Sequence, residues 1–266
     1  MSVTAAKGFV AAGGHCGIKA SGEADLALVV AEDGAVSAAA TFTANLSAAA
    51  PVQVSRRHLE ASNGRAAAVV LNSGNANAAT GQQGTDVAEA MAAATAAAIG
   101  SQTAEVLVCS TGLIGIPLPF DPLGAGIPLL AASLSTTGGE DAARAILTTD
   151  TVAKQVVEEA GAAIVGGMAK GAAMLSPNMA TMLAVLTTDA AVEPPVLQAM
   201  LAHAVEHSFN RLSVDGCTST NDTVIALASG RAGAVDASRL GIAMARACAR
   251  LAEMMALDAE GATKVV

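Results

Sequence analysis

A chain of 266 residues with only four aromatic side chains cannot build its interior in the usual way. Phe9, Phe42, Phe120 and Phe209 are the whole aromatic complement, with no Trp and no Tyr. Aromatic rings normally dominate buried area. Here the core must come from Val, Leu, Ile and Met, with alanine letting backbones approach closely. Hydrophobic residues still make up 53% of the chain, and charged residues only 14%, against about 25% in an average protein. That composition excludes a disordered chain. The length is large for one domain and short for two.

The formal net charge is −9. A nucleic-acid binder presents a basic patch, and a reader of single strands needs aromatic platforms; the sequence offers neither. The N-terminal MSVTAAKGFVAAGGHCG has no apolar run behind a basic start, so it does not read as a secretory signal. The stretch from Val106 to Gly139 has Asp121 as its one charge, but Pro117, Pro119, Pro122 and Pro128 argue against a membrane-spanning helix. Cys16, Cys109, Cys217 and Cys248 are far apart and form no CxxC, so neither a disulfide framework nor a zinc knuckle is indicated. The expectation is a cytoplasmic protein acting on small molecules, with no nucleic-acid or membrane partner.

Short apolar runs alternate with small-residue loops and alanine-rich helices. Strands are expected over Ala24–Ala31, Ala66–Leu71, Glu105–Cys109, Ala162–Gly166, Met182–Thr188 and Thr223–Ala228. Helices are expected from Thr85 as cap to about Ile99, over about Gly139–Leu147, after Pro194-Pro195 to about Ser208, and from near Asp236. The last carries Leu240, Met244, Cys248, Leu251 and Met255 at helical spacing. This mixture without a repeat reads as α/β or α+β layers.

Four loops are too polar and too glycine-rich to be filler. LNSGNANAATG (Leu71–Gly81) reads either as a tight turn or as a loop supporting a site. CSTGLIG (Cys109–Gly115) holds a Thr-Gly pair able to aim a hydroxyl and an N–H at an oxyanion, though most such pairs are only turns. In MAKGAAMLSPNMATML (Met168–Leu183), Lys170 is the lone charge, and burying it requires a partner or a use. Thr181, at the expected start of a strand behind Pro177-Asn178, suits a nucleophile; an ordinary loop with a β-favouring Thr is the competing reading. VDGCTSTNDT (Val214–Thr223) lacks EF-hand spacing and reads as a polar turn supporting a site.

Eight blocks, in order along the chain, resemble the ornithine acetyltransferase family, the bifunctional glutamate N-acetyltransferases of cyclic arginine biosynthesis. They are GIKASGEADLALV (Gly17–Val29), LNSGNANAATG, CSTGLIG, TTDT (Thr148–Thr151), GGMAKGAAML, PNMATML, DGCTSTNDT and DAEGATK (Asp258–Lys264). PNMATML with its upstream AKG is the most specific. The resemblance implies a layered α/β (α+β) sandwich of the ornithine acetyltransferase or DmpA-like type. It implies a precursor that cleaves itself between Ala180 and Thr181, giving an alpha-chain region (1–180) and a beta-chain region (181–266). Thr181 would then take acetyl from N-acetyl-L-ornithine and pass it to L-glutamate through a covalent acyl-enzyme. Its freed α-amine, with a reference pKa of about 8, would serve as the base. Thr111 and Gly112 are implied as the oxyanion hole. Thr148, Lys170, Thr181 and Glu260 are implied around the substrate, Lys170 for an α-carboxylate and Glu260 for an ammonium or a proton transfer. No metal or cofactor is implied. Acetyl-CoA stays open as a co-substrate for N-acetylglutamate synthesis, and an oligomer of processed alpha and beta chains is expected.

Ala79 stands where the family pattern commonly has Cys, and Ala259 where it has Gly. The family pattern also continues beyond Val266, so the chain reads as C-terminally truncated, with part of the sheet missing and weak or absent activity expected. Three alternatives compete. One is an inactive remnant with a binding role. Another is an N-terminal-nucleophile amidohydrolase or aminopeptidase, against which Lys170 and TTDT argue. The third is a zinc peptidase, because His203, Glu206 and His207 match H-x-x-E-H. That pair faces away from Leu197, Met200, Leu201, Ala204 and Val205, and reads as a solvated face.

Overall fold

The computed structural model describes residues 2–173, 182–261 and 263. Two sheets stack face to face, each covered on its outer side by helices. The first sheet has the order β1-β2-β5-β6, formed by Phe9–Gly14, Leu26–Ala31, Ala68–Asn75 and Val106–Leu113. The second has the order β4-β3-β10-β9-β8-β7. Its strands are Arg65–Ala66 (β4), Val36–Phe42 (β3), Thr223–Gly233 (β10), Leu183–Ala190 (β9), Ala163–Lys170 (β8) and Lys154–Ala160 (β7). Each sheet holds one parallel pair, β5/β6 and β9/β10, among antiparallel neighbours.

The strand period of two explains the layering. On β2, Leu26, Leu28 and Val30 pack outward against helices, while Ala27, Val29 and Ala31 pack inward against the second sheet. On β10, Ile225 and Leu227 point inward, and Val224, Ala226 and Ala228 outward. The outer layer on the first sheet is Ala50–Ala61 (α1), Gly81–Ile99 (α2) and Phe120–Ala131 (α3). A short helix, Gly139–Ala145 (α4), sends Ala142, Ala143 and Ala145 into the core between the sheets. The outer layer on the second sheet is Pro194–Glu206 (α5) and Ala237–Leu257 (α6). Alanine at so many inward positions lets the sheets close up around few large side chains, as the aromatic-poor composition requires.

All six expected strands form, as do the four helices. Three boundaries move for physical reasons. The second helix starts at Gly81 rather than after Thr85. Its first turn is held by the preceding loop, where the Asn77 side-chain amide donates to the Gly84 carbonyl at 2.8 Å. β5 and β6 run on through Asn75 and Leu113. Residues 72–75 and 110–113, read from the sequence as loops, are therefore strand, because parallel pairing extends to Gly74 and Gly112. The proline-bearing stretch excluded as a membrane span does hold a helix, α3, with Pro122 in its first turn and Pro128 inside it. Among the described residues no helix is long and apolar enough to cross a membrane.

Candidate active site

The strand ends that meet at one side of the sandwich belong to both sheets: the C-terminal ends of β5, β6 and β8 and the N-terminal ends of β9 and β10. A cavity of about 540 Å³ opens there. Thr111, Gly112, Thr148, Lys170 and Glu260 line it, with Lys19, Ser21, Glu23, Gly74, Leu113, Thr149 and Ala173. Five residues expected at the site thus come together from four separate segments. Ala180 and Thr181, the expected cleavage point and nucleophile, lie outside the described residues. Among the described residues, a second cavity, of about 460 Å³ between the starts of α1 and α2, is lined by no ionisable side chain.

Two kinds of wall enclose the first cavity. The lining residues of the β5 and β6 strand ends themselves, Gly74 and Thr111 to Leu113, are neutral, and their backbones approach closely. Gly112 has φ +133°, and a Cβ there would sit 2.3 Å from the Gly74 carbonyl carbon, so only glycine fits. The DGCTSTNDT loop braces this wall. Asn221 donates to the Ala76 carbonyl at 2.6 Å and to the Ser110 carbonyl at 3.0 Å. The sequence reading of that loop as a support agrees with this contact.

The β7/β8 side carries buried charge. Lys170 ends β8, almost fully buried, and its Nζ donates to Thr111 Oγ1 at 3.3 Å. Its counter-ion is Asp150, with Nζ 3.9 Å from Oδ2. Burial pushes the Lys170 ammonium below its ordinary value, with Asp150 working against that shift. Asp150 is sealed from solvent and accepts from Lys154 Nζ (2.7 Å), the Gly171 N–H (2.6 Å) and the Thr148 N–H (3.3 Å). Burial alone would raise its pKa, but the Lys170 charge, Lys154 and the Gly171 N–H together hold it below the usual carboxylate range. Lys154 also donates to Asp258 at 2.6 Å, and Asp258 accepts from Thr151. One buried carboxylate therefore ties together the segments carrying Thr148, Lys170 and Glu260. Sequence reasoning quoted Asp150 within TTDT but gave it no role; an acidic residue between hydroxyl residues near a lone buried Lys was the available signal.

Asp222 is the second buried carboxylate. Its Oδ1 accepts from the Met182 N–H at 2.9 Å, and Met182 directly follows Thr181 in the chain. Burial pushes the Asp222 carboxyl up to about 7, against the pull of the Met182 N–H and Lys170. A third, Asp25, shapes the loop that brings Lys19 to the cavity. It accepts from the N–H groups of Cys16, Gly17, Ile18 and Lys19 at 2.6, 3.2, 2.7 and 2.9 Å.

The histidine pair stands apart. His203 on α5 and His207 just after its end lie exposed with ring centroids 4.3 Å apart, and Glu206 accepts from Asn210. Among the described residues no three His, Cys, Asp or Glu are grouped to hold a metal ion.

The ArgJ family model matches residues 10–266. The chain belongs to the ArgJ family. It is 50% identical to the arginine biosynthesis bifunctional protein ArgJ of Thermosynechococcus vestitus, over 99% of this chain and 65% of that protein. It is 51% identical to ArgJ of Mycobacterium leprae, over 99% and 67%. The chain thus spans about two thirds of the length of the ArgJ relatives it matches. Among solved structures it is similar to ornithine acetyltransferase from Mycobacterium tuberculosis in complex with ornithine, at 47% identity and TM-score 0.61. That match covers 66% of this chain and 94% of the other. The fold is shared more widely. An L-aminopeptidase D-Ala-esterase/amidase from Ochrobactrum anthropi, a variant of the Ntn hydrolase fold, superposes over 98% of this chain and 88% of its own at TM-score 0.60 and 14% identity. The layered α/β sandwich expected from the sequence is the ArgJ fold.

Proposed function

We propose that the chain is an ornithine acetyltransferase of arginine biosynthesis. It transfers acetyl from N-acetyl-L-ornithine to L-glutamate through an acetyl ester on Thr181. The observation that carries this reading is the meeting of Thr111, Gly112, Thr148, Lys170 and Glu260 on one cavity. The Thr181 hydroxyl adds to the acetamide carbonyl, passing its proton to the α-amine freed by cleavage after Ala180. Thr111 and Gly112 stabilise the oxyanion. The C–N bond breaks, the proton goes to the departing α-amine, and ornithine leaves. The α-amine of glutamate then adds to the ester, and Thr181 recovers its proton as N-acetyl-L-glutamate departs. Lys170 pairs with the substrate α-carboxylate, Thr148 hydrogen-bonds the substrate, and Glu260 holds an ammonium or carries a proton. Residues 1–180 and 181–266 belong to the two processed chains, which assemble as an oligomer in the cytoplasm.

The test is acetyl transfer to isotopically labelled L-glutamate in the presence of N-acetyl-L-ornithine. From the wild-type chain, which spans about two thirds of the length of its relatives, a low yield of labelled N-acetyl-L-glutamate is expected, and none from Thr181→Ala. Equal product from both would overturn the proposal.

A further inference from the structure

The two substrates of the proposed reaction pose one recognition problem. They share the α-carboxylate and the α-nitrogen, but their side chains end in opposite charges: an ammonium on ornithine, a carboxylate on glutamate. A single cavity that accepts both in turn must offer both signs where the side chain ends. Lys170 cannot be the cation there, because it is buried at the strand ends and bonded to Thr111 Oγ1 beside Gly112, at the acyl-transfer end.

The outer rim has another cation. Lys19 lines the same cavity with Ser21 and Glu23, all three from the loop between β1 and β2. Its only hydrogen bond among the described residues through Nζ is to the Ala24 carbonyl at 2.8 Å, and it makes no ion pair there. Two of its three N–H donors are therefore uncommitted. The backbone beneath it is fixed, since the N–H groups of residues 16–19 all converge on the buried Asp25 carboxylate. The stem runs past Gly74, where the missing Cβ leaves it room: a Cβ there would lie 3.0 Å from Lys19 Cγ. A half-buried ammonium held at a cavity rim on an ordered loop loses little freedom on pairing with a ligand. Glu23, on the same rim, supplies the opposite sign.

Resting on the acetyltransferase reading, we propose that the loop carrying Lys19 and Glu23 is the side-chain subsite. Lys19 binds the γ-carboxylate of glutamate, and Glu23 faces the terminal ammonium of ornithine. Lys19 then sets the affinity for the acceptor without setting that for the donor.

Calorimetric titration with L-glutamate and L-ornithine tests this without turnover, since neither carries acetyl. Lys19→Met keeps the stem and removes the charge. A charged hydrogen bond at a partly exposed site predicts about tenfold weaker glutamate binding, with ornithine binding within about twofold of wild type. Lys19→Arg is expected to restore most of the glutamate affinity. Equal weakening of both ligands would mean that Lys19 only shapes the loop, and would overturn the subsite. Unchanged glutamate affinity would overturn it too. A wild-type chain that binds neither amino acid would overturn the acetyltransferase reading itself, and the subsite with it.

Discussion

The two walls of the cavity solve the same problem by opposite means. The β5/β6 wall is neutral and positions Thr111 and Gly112 by close backbone approach, with Gly112 set against Gly74 and Asn221 bracing the strand ends. The β7/β8 wall buries Asp150, Lys154 and Lys170 together and positions Lys170 and Thr148 through charge. Shape fixes a backbone donor cheaply, because a glycine contact needs no desolvation. Holding a cation inside the protein needs a second charge and further hydrogen bonds. The charged wall is therefore the more fragile under substitution, and the neutral wall the less tolerant of added atoms.

Asp150→Ala should break the comparison most strongly. It leaves Lys154 and Lys170 buried without their shared partner, and a loss of about 3–5 kcal/mol is expected in urea unfolding. A loss no larger than that of an exposed ion pair, under about 1 kcal/mol, would show that the charged wall is not held by Asp150. Asp222→Asn keeps an acceptor for the Met182 N–H but cannot titrate. With the carboxyl raised to about 7 from an unfolded value near 4, the folded wild-type chain binds this proton more tightly than the unfolded chain. That contribution to stability is full at low pH and is lost as pH rises through 7. Between pH 5 and 8 the wild type should lose about 2–3 kcal/mol that Asp222→Asn does not lose. Parallel stability curves would contradict this.

On the neutral wall, Gly112→Ala drives a Cβ into the Gly74 backbone and should cost about 2 kcal/mol, with a larger loss of acetyl transfer than of ornithine affinity. Full activity would mean that the close approach is unimportant. The smallest effect is expected at Ala79, which holds φ +57° in the NANAATG loop. Replacing it with Gly relieves left-handed strain, offset by chain entropy, and should change stability by about 1 kcal/mol or less in the favourable direction. A clear loss would show that the methyl group packs.

The layers were legible in the sequence because buried strands leave a mark that survives alone: short runs of Val, Leu and Ala such as Ala24–Ala31 and Met182–Thr188. The helix α5 announced itself through its proline start, α6 through its Asp236 cap, and both through spaced Leu and Met. β1, β3, β7, α1 and α3 were missed. β1 is rich in alanine and glycine and β3 in alanine, β7 carries Lys and two Glu, α1 is half polar, and α3 hides behind proline. At the site, Thr111, Gly112, Thr148, Lys170 and Glu260 were named from motif resemblance, and the fold gathers them. Asp150, Asp222 and Lys19 were quoted inside motifs without roles. Their importance comes from partners far along the chain: Asp150 with Gly171, Asp222 with Met182, Lys19 beside Gly74. Such pairings arise only when separate strand ends meet.

The central claim is that this cavity serves a Thr181 ester. Intact mass spectrometry of the chain, acid-quenched after incubation with N-acetyl-L-ornithine, tests it most directly. The account predicts fragments covering residues 1–180 and 181–266, the second heavier by one acetyl group, and an uncleaved, unacetylated chain for Thr181→Ala. A wild-type chain that stays whole and gains no acetyl group would contradict it.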